Sequence, residues 1–233
     1  MSKVDDYRQL VFERKACHLC QGLTNPADVE RGRYDSNHVG PWSLWQGNLE
    51  ASLMVVGQDW ETSDYFVRHK GREGPGHPSN IVLMKLVSLA GVQLGDPGSA
   101  DGRDVAFFTN AILCLKGPEG GSQGKVYPSW FNNCTPFLRR QIEIVNPAVV
   151  VGLGEHAYRA IFRGFGMKCG YNVGGKTWFR VEVEAPTGRI LPNGSRAFAV
   201  YHCARRILNS KKLRPIEFQE NDWMRLRPFL PTG

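Results

Sequence analysis

Asn146-Pro147-Ala148-Val149-Val150-Val151-Gly152-Leu153-Gly154-Glu155-His156-Ala157 decides the fold. The apolar run Ala148–Gly154 is short and β-branched, which marks a buried strand rather than a helix. A glycine turn ends it, and Glu155–Phe162 then reads as a helix. On the other side, Asn146-Pro147 closes a helix that opens with Thr135 as N-cap and Pro136 just inside. Helix, buried strand and helix in close succession form the unit of an α/β fold.

Three further runs share the character of that strand: Ser52–Gly57, Val105–Asn110 and Ala197–His202. Between the first two, Ser79–Ala90 is apolar at Val82, Leu83, Leu86, Leu89 and Ala90, with Gly91 as its stop. Strands alternating with helices predict a parallel sheet covered on both faces. Two regions break the alternation. Residues 115–133 read as loop, and residues 177–196 as an added hairpin, with Thr177–Glu184 as a strand and Pro192-Asn193-Gly194 as a turn. With no internal repeat or linker, residues 1–233 are expected to form one domain.

Composition narrows the class. Hydrophobic residues at 42% and aromatics at 11% suffice for a substantial core. A formal charge of +7 suits a polyanionic partner, although basic proteins without one are common. No segment approaches the ~20 apolar residues of a membrane span, and Met1-Ser2-Lys3-Val4-Asp5-Asp6 has no apolar signal core. A cytoplasmic protein is expected. In that compartment six cysteines point to metal or redox roles rather than a disulfide framework.

Open parallel sheets bind ligands beyond the carboxyl ends of their strands. Here those ends carry Gly57-Gln58-Asp59-Trp60, Asn110, Gly152-Leu153-Gly154 and His202. Any one polar residue at such a place can simply begin a loop. A carboxylate, a carboxamide and an imidazole at three strand ends predict a site.

Cys17-His18-Leu19-Cys20 is a CxxC pair, and Cys114 and Cys134 add two thiols far along the chain. Four thiolates suit either zinc or a 4Fe–4S cluster. Cys169, in a glycine-rich stretch, reads as an ordinary residue. Cys203 can lie in the site, but adjacent positions rarely give the approach that a cysteine–histidine nucleophile needs with His202.

Several of these segments together resemble the iron–sulfur branch of the uracil-DNA glycosylases. Phe108-Thr109-Asn110-Ala111-Ile112-Leu113-Cys114 is similar to that branch's strand, asparagine and third cluster cysteine. Cys134-Thr135-Pro136-Phe137-Leu138 is similar to its fourth cysteine and helix, and residues 146–157 to its next strand-turn-helix. Cys17 and Cys20 lie where the family keeps its first cysteine pair. The resemblance runs from about Ala16 to Leu208. It implies a three-layer α/β/α fold with a central four-stranded parallel sheet, a structural 4Fe–4S cluster on Cys17, Cys20, Cys114 and Cys134, and hydrolysis of the uracil N-glycosidic bond in DNA. Zinc is the lesser alternative for the cysteines.

The resemblance also assigns roles. Asp59 corresponds to the acid-bearing first motif, where Gly57-Gln58-Asp59 departs from the branch's Gly-Glu-Ala-Pro-Gly and looks like the cluster-free branch. Asn110 matches the base-reading asparagine, and His202 the histidine of the second motif, with His202-Cys203-Ala204 replacing His-Pro-Ser. The family's Pro-Phe stacking platform is missing, and Trp60, Tyr65 or Phe66 are the candidates to replace it. Arg205, Arg206, Lys211, Lys212 and Arg214 fall where the family inserts a loop into DNA, with Leu208 as an apolar wedge. A solvated basic helix face would read the same way. The expected partner is uracil-containing DNA, bound by a monomer with no obligate protein partner. Three rivals remain: a glycosylase of this fold for hypoxanthine, xanthine or an oxidised pyrimidine, a non-catalytic iron–sulfur protein that binds nucleic acid, and a zinc-binding module.

Overall fold

The computed structural model describes residues 2–97, 103–117, 126–173, 176–178, 187–204 and 215–231. The described chain opens on α1 (Lys3–Lys15), started by a reciprocal capping box between Ser2 and Asp5. It then forms β1 (Leu23–Thr24), β2 (Leu53–Gly57), α2 (Ser63–Arg68), α3 (Pro78–Leu89), β3 (Phe107–Asn110) and β4 (Leu115–Lys116). Next come α4 (Pro128–Val145), β5 (Val149–Leu153), α5 (Glu155–Gly164), β6 (Tyr171–Val173), β7 (Lys176–Trp178), β8 (Arg189–Ile190), β9 (Arg196–Val200) and α6 (Ile216–Met224).

The main sheet has the order β3-β2-β5-β9-β8. Its first four strands run parallel, as the apolar runs predict. A fifth strand, β8, adds antiparallel to β9 and enlarges the expected four-stranded sheet. The turn at Pro192-Asn193-Gly194 makes this possible: Gly194 takes φ +89°, and Leu191 N–H bonds the Ser195 carbonyl at 2.8 Å. The other expected hairpin strand is met differently. Its first residues belong to β7, which pairs back onto β6; residues 179–184 lie outside the described chain.

Side-chain alternation along the parallel strands divides the core in two. Met54, Val56, Phe107, Val150, Ala197 and Ala199 share a cluster with residues of α1, α4 and α5. Leu53, Val55, Phe108, Val151, Phe198 and Val200 share the other with α3 and α6. The result is a sheet flanked by helices on both faces. Gly152 explains how closely one layer approaches: a β-carbon there would stand 2.7 Å from the backbone of Tyr158 in α5.

Two expectations need correction. The helix expected to start at Thr135 begins at Pro128, and Pro136 lies inside it. Pro136 brings no N–H to the helix ladder, yet the helix continues through it. The preceding turns are anchored by buried Trp130 and Phe131, and the Thr135 hydroxyl donates to the Phe131 carbonyl at 2.7 Å. Consequently residues 115–133 are not all loop: β4 occupies the start and α4 the end. Helices α1, α2 and α6 were not read from the sequence at all. In α6, Trp223 is fully buried in the cluster that includes Leu83 and Leu86 of α3. Among the described residues no helix is long and apolar enough to cross a membrane.

Candidate active site

The strand order sets the position of the site. From β2 the chain moves to β3 on one side, and from β5 to β9 on the other. Loops leaving β2 and β5 therefore part, and a crevice opens beyond their carboxyl ends. A cavity of about 560 Å³ lies there. Gly57, Gln58, Asp59 and Trp60 reach it from the end of β2, Asn110 from β3, Leu153 and Gly154 from β5, and His202 from beyond β9.

Each group is held by a local device. Asn110 is 4% exposed, and its amide lies across the end of β2 in space that only a glycine at position 57 leaves open. A β-carbon on Gly57 would stand 2.4 Å from Asn110 Oδ1 and 3.1 Å from the Trp42 ring. Asp59 accepts from Gln58 Nε2 at 2.7 Å and pairs with Lys116 Nζ at 2.9 Å. Both donors meet the same oxygen, Oδ2. His202 Nδ1 accepts the backbone N–H of Ala204 at 3.0 Å. That bond selects the tautomer with its proton on Nε2, so the neutral ring is a donor there.

A second wall of the cavity carries Glu61 from the loop before α2, and Glu73, His77 and Asn80 from α3 and the segment before it. The buried Glu73 carboxylate accepts from the Trp60 indole N–H and from Asn80 Nδ2 at 2.8 Å. Burial pushes its acidity toward higher pH, and the two hydrogen bonds only partly offset this. Glu61 lies 3.6 Å from His77 Nε2 and raises the affinity of that imidazole for a proton.

The cysteines gather on another flank. The CxxC loop is tied to α4: Trp130 Nε1 donates to the Gln21 carbonyl at 2.9 Å, and Asn133 Nδ2 to the Leu19 carbonyl at 3.0 Å and Cys20 Sγ at 3.4 Å. A hydrogen bond from Cys134, with help from Asn133, lowers the Cys20 thiol to about 6. Burial, then repulsion from Cys20 and Cys17, pushes Cys114 up to about 12. Cys134 is also raised, chiefly by its bond to Cys20. Cys114 thus senses the charges of Cys20 and Cys17, and Cys134 those of Cys20 and Cys114. No three metal-ligating side chains among the described residues converge tightly enough to hold a single ion.

A model of the uracil DNA glycosylase superfamily matches residues 44–227. The chain belongs to that superfamily. It is 30% identical over 173 residues to a type-5 uracil-DNA glycosylase of Pyrobaculum aerophilum, covering 69% of this chain and 71% of that protein. It is 25% identical over 237 residues to a type-4 uracil-DNA glycosylase of Sulfurisphaera tokodaii, covering 100% of this chain and 87% of that one. A type-4 enzyme of Saccharolobus solfataricus is 26% identical over 130 residues, or 53% of this chain and 50% of its own.

Within this superfamily member, the structure brings Gly57, Gln58, Asp59, Trp60, Asn110 and His202 around one cavity. Of the other stacking candidates, Phe66 is core and does not line the cavity, and Tyr65 stands behind Trp60 and beside cavity-lining His77. Both rings pack edge-on against Trp60, at centroid distances of 5.4 and 5.9 Å. Arg205, Arg206 and Leu208, with Lys211, Lys212 and Arg214, lie outside the described residues. Cys203 is buried at the cavity edge, and burial pushes its thiol up to about 12, so it is held as the neutral thiol. Sequence reasoning missed Trp42, Glu73, His77, Asn80 and Lys116. The only available signal for the second wall was the glycine- and proline-rich run Gly71–Pro78, which has no periodicity to interpret.

Proposed function

We propose that this chain is a DNA base-excision repair glycosylase that hydrolyses the N-glycosidic bond of uracil, acting as a cytoplasmic monomer. The observation that carries this reading is the meeting of Asp59, Asn110 and His202 at one cavity, with the His202 tautomer fixed by Ala204. The base leaves the duplex stack to enter, at a cost of a few kcal/mol. The bond between the sugar C1′ and uracil N1 breaks, its electron pair leaving with the base. Water adds to C1′ and gives up a proton that neutralises the departed uracil anion, leaving free uracil and an abasic site. Asp59 Oδ1, which receives neither Gln58 nor Lys116, is the oxygen that orients this water and faces the sugar cation. His202 Nε2–H donates to uracil O2 as negative charge develops there, acting as a one-donor oxyanion hole. Asn110 accepts from uracil N3–H and donates to O4. Trp60 supplies an aromatic wall for the base. Gly57 and Gln58 complete the floor. Arg205 and Arg206 hold flanking phosphates, and Leu208 fills the gap left in the stack.

Cys17, Cys20, Cys114 and Cys134 would hold a 4Fe–4S cluster. The mutual influence of three of them supports this: Cys20 bonds Cys134, and Cys114 and Cys20 each bear on Cys134. Zinc is the lesser alternative for the same four thiolates. When bound, the cluster would supply a structural cross-link between the CxxC loop, the residue preceding β4 and α4.

The deciding experiment is release of uracil from a uracil-containing oligonucleotide, read by alkaline cleavage of the abasic product. One observation favours a second reading. The wall formed by Glu61, Glu73, His77 and Asn80 offers acceptors beyond those that uracil requires, which suits a base such as hypoxanthine or xanthine. A panel of single-lesion oligonucleotides separates the two.

A further inference from the structure

We propose that Lys116 is a positioning residue for the reaction, acting on the substrate only through Asp59. The inference rests on the glycosylase reading. Lys116 is 4% exposed, far below what lysine normally accepts, and it does not line the cavity. Its ammonium pairs with Asp59 Oδ2 at 2.9 Å, and the two side chains are 5% and 9% exposed. A buried ammonium is costly unless paired, and a buried carboxylate that lost this partner would be free to turn away. With Gln58 also on Oδ2, the carboxylate is gripped on one oxygen and free to act through the other. Lys116 therefore keeps Asp59 aimed.

The backbone makes the placement rigid. Lys116 pairs with Leu23 in the β1–β4 ladder and bridges to Thr62, in the loop that carries Asp59. Cys114 is two residues before it, and Cys20 three residues before Leu23. The lysine thus sits at the seam between the cysteine lobe and the acid-bearing loop. A lysine retained only for stability would have no reason to select the carboxylate at the cavity.

The test is single-turnover uracil release, with DNA affinity measured alongside, for the parent, Lys116→Gln, Lys116→Arg, Asp59→Asn and the Asp59→Asn/Lys116→Gln double variant. Lys116→Gln should slow release at least about tenfold with unchanged DNA affinity, and Lys116→Arg should recover part of the loss. The double variant should be no slower than Asp59→Asn alone, because residues acting as a unit are non-additive. A parent that releases no uracil would overturn the glycosylase reading itself. An active parent in which Lys116→Gln keeps the parental rate, or slows Asp59→Asn by the same factor as the parent, would overturn the role of Lys116. Should Lys116→Gln fail to fold, the comparison of Lys116→Arg with the parent, alone and on Asp59→Asn, decides by the same criterion of non-additivity.

Discussion

Asn110 Oδ1 occupies the space into which a side chain on Gly57 would project, 2.4 Å from where that β-carbon would be. The last residues of two adjacent parallel strands, paired in register, are thus interdependent: one is bare so that the other can present an amide. Gly57→Ala should push the Asn110 amide off its position and cost about 1–3 kcal/mol of stability through overpacking. Uracil release should fall together with selectivity for the base. Thermal unfolding combined with rates on uracil and cytosine oligonucleotides checks both parts, and a variant with parental values in each would show that the contact is soft.

Asn110→Asp tests the base-reading role by donor and acceptor counting. Uracil presents N3–H and O4, which one carboxamide satisfies together, whereas cytosine presents the reverse at both atoms. Each buried mismatch costs about 1–3 kcal/mol. The aspartate should lose uracil release by two orders of magnitude or so and acquire weak release of cytosine. Unaltered uracil release with no gain on cytosine would move base reading to another residue.

Asp59→Asn retains shape and removes the carboxylate proposed to face the sugar cation. The loss falls mainly on the transition state, so turnover should drop by roughly a hundredfold or more while DNA affinity stays close to the parent. Single-turnover kinetics with excess enzyme reports the first quantity and equilibrium titration the second. An equal loss in both would mean that Asp59 serves binding instead.

Glu73 gives a pH signature independent of activity. Burial raises its folded-state pKa above the ordinary 4.5. Between the unfolded value and the raised folded one, the unfolded chain has released the proton and the folded chain still holds it. Stability therefore declines as pH rises through this window. Glu73→Gln removes the decline, because the Asn80 amide can turn to offer its oxygen to the new amide. The variant should unfold at a higher temperature than the parent near pH 7, by about 2–4 °C for each kcal/mol recovered, and at the same temperature near pH 4. Parallel melting curves across the range would contradict the burial argument.

The cysteine set predicts stoichiometric iron and sulfide in anaerobically purified protein, with visible thiolate-to-iron charge-transfer absorption. Cys114→Ser should lose the colour and lower the unfolding temperature, since it breaks the cross-link between β4 and α4. Replacement of Cys169, remote from the set in sequence, should preserve both iron content and colour. Metal analysis that returned zinc alone would select the alternative ligand.

What could be read from the chain alone was whatever is repeated locally. The β-branched or aromatic runs Ser52–Gly57, Val105–Asn110, Ala148–Gly154 and Ala197–His202 declare parallel strands, because burial on both faces demands continuous apolar sequence. Strand ends then place Asp59, Asn110 and His202 on one rim without any coordinates. The start of α4 was not legible, since Pro136 looks like a helix opener and only tertiary anchoring of Trp130 and Phe131 carries the helix through it. Nor was the fate of Tyr65 and Phe66, aromatic residues that support Trp60 from behind. Lys116 and Asp59 are 57 positions apart, and nothing in the sequence around either signals the other. Their pairing depends on β4 being held against β1 and Thr62, a matter of long-range packing. Periodicity records which side of an element is buried; only the folded chain determines which buried charges meet.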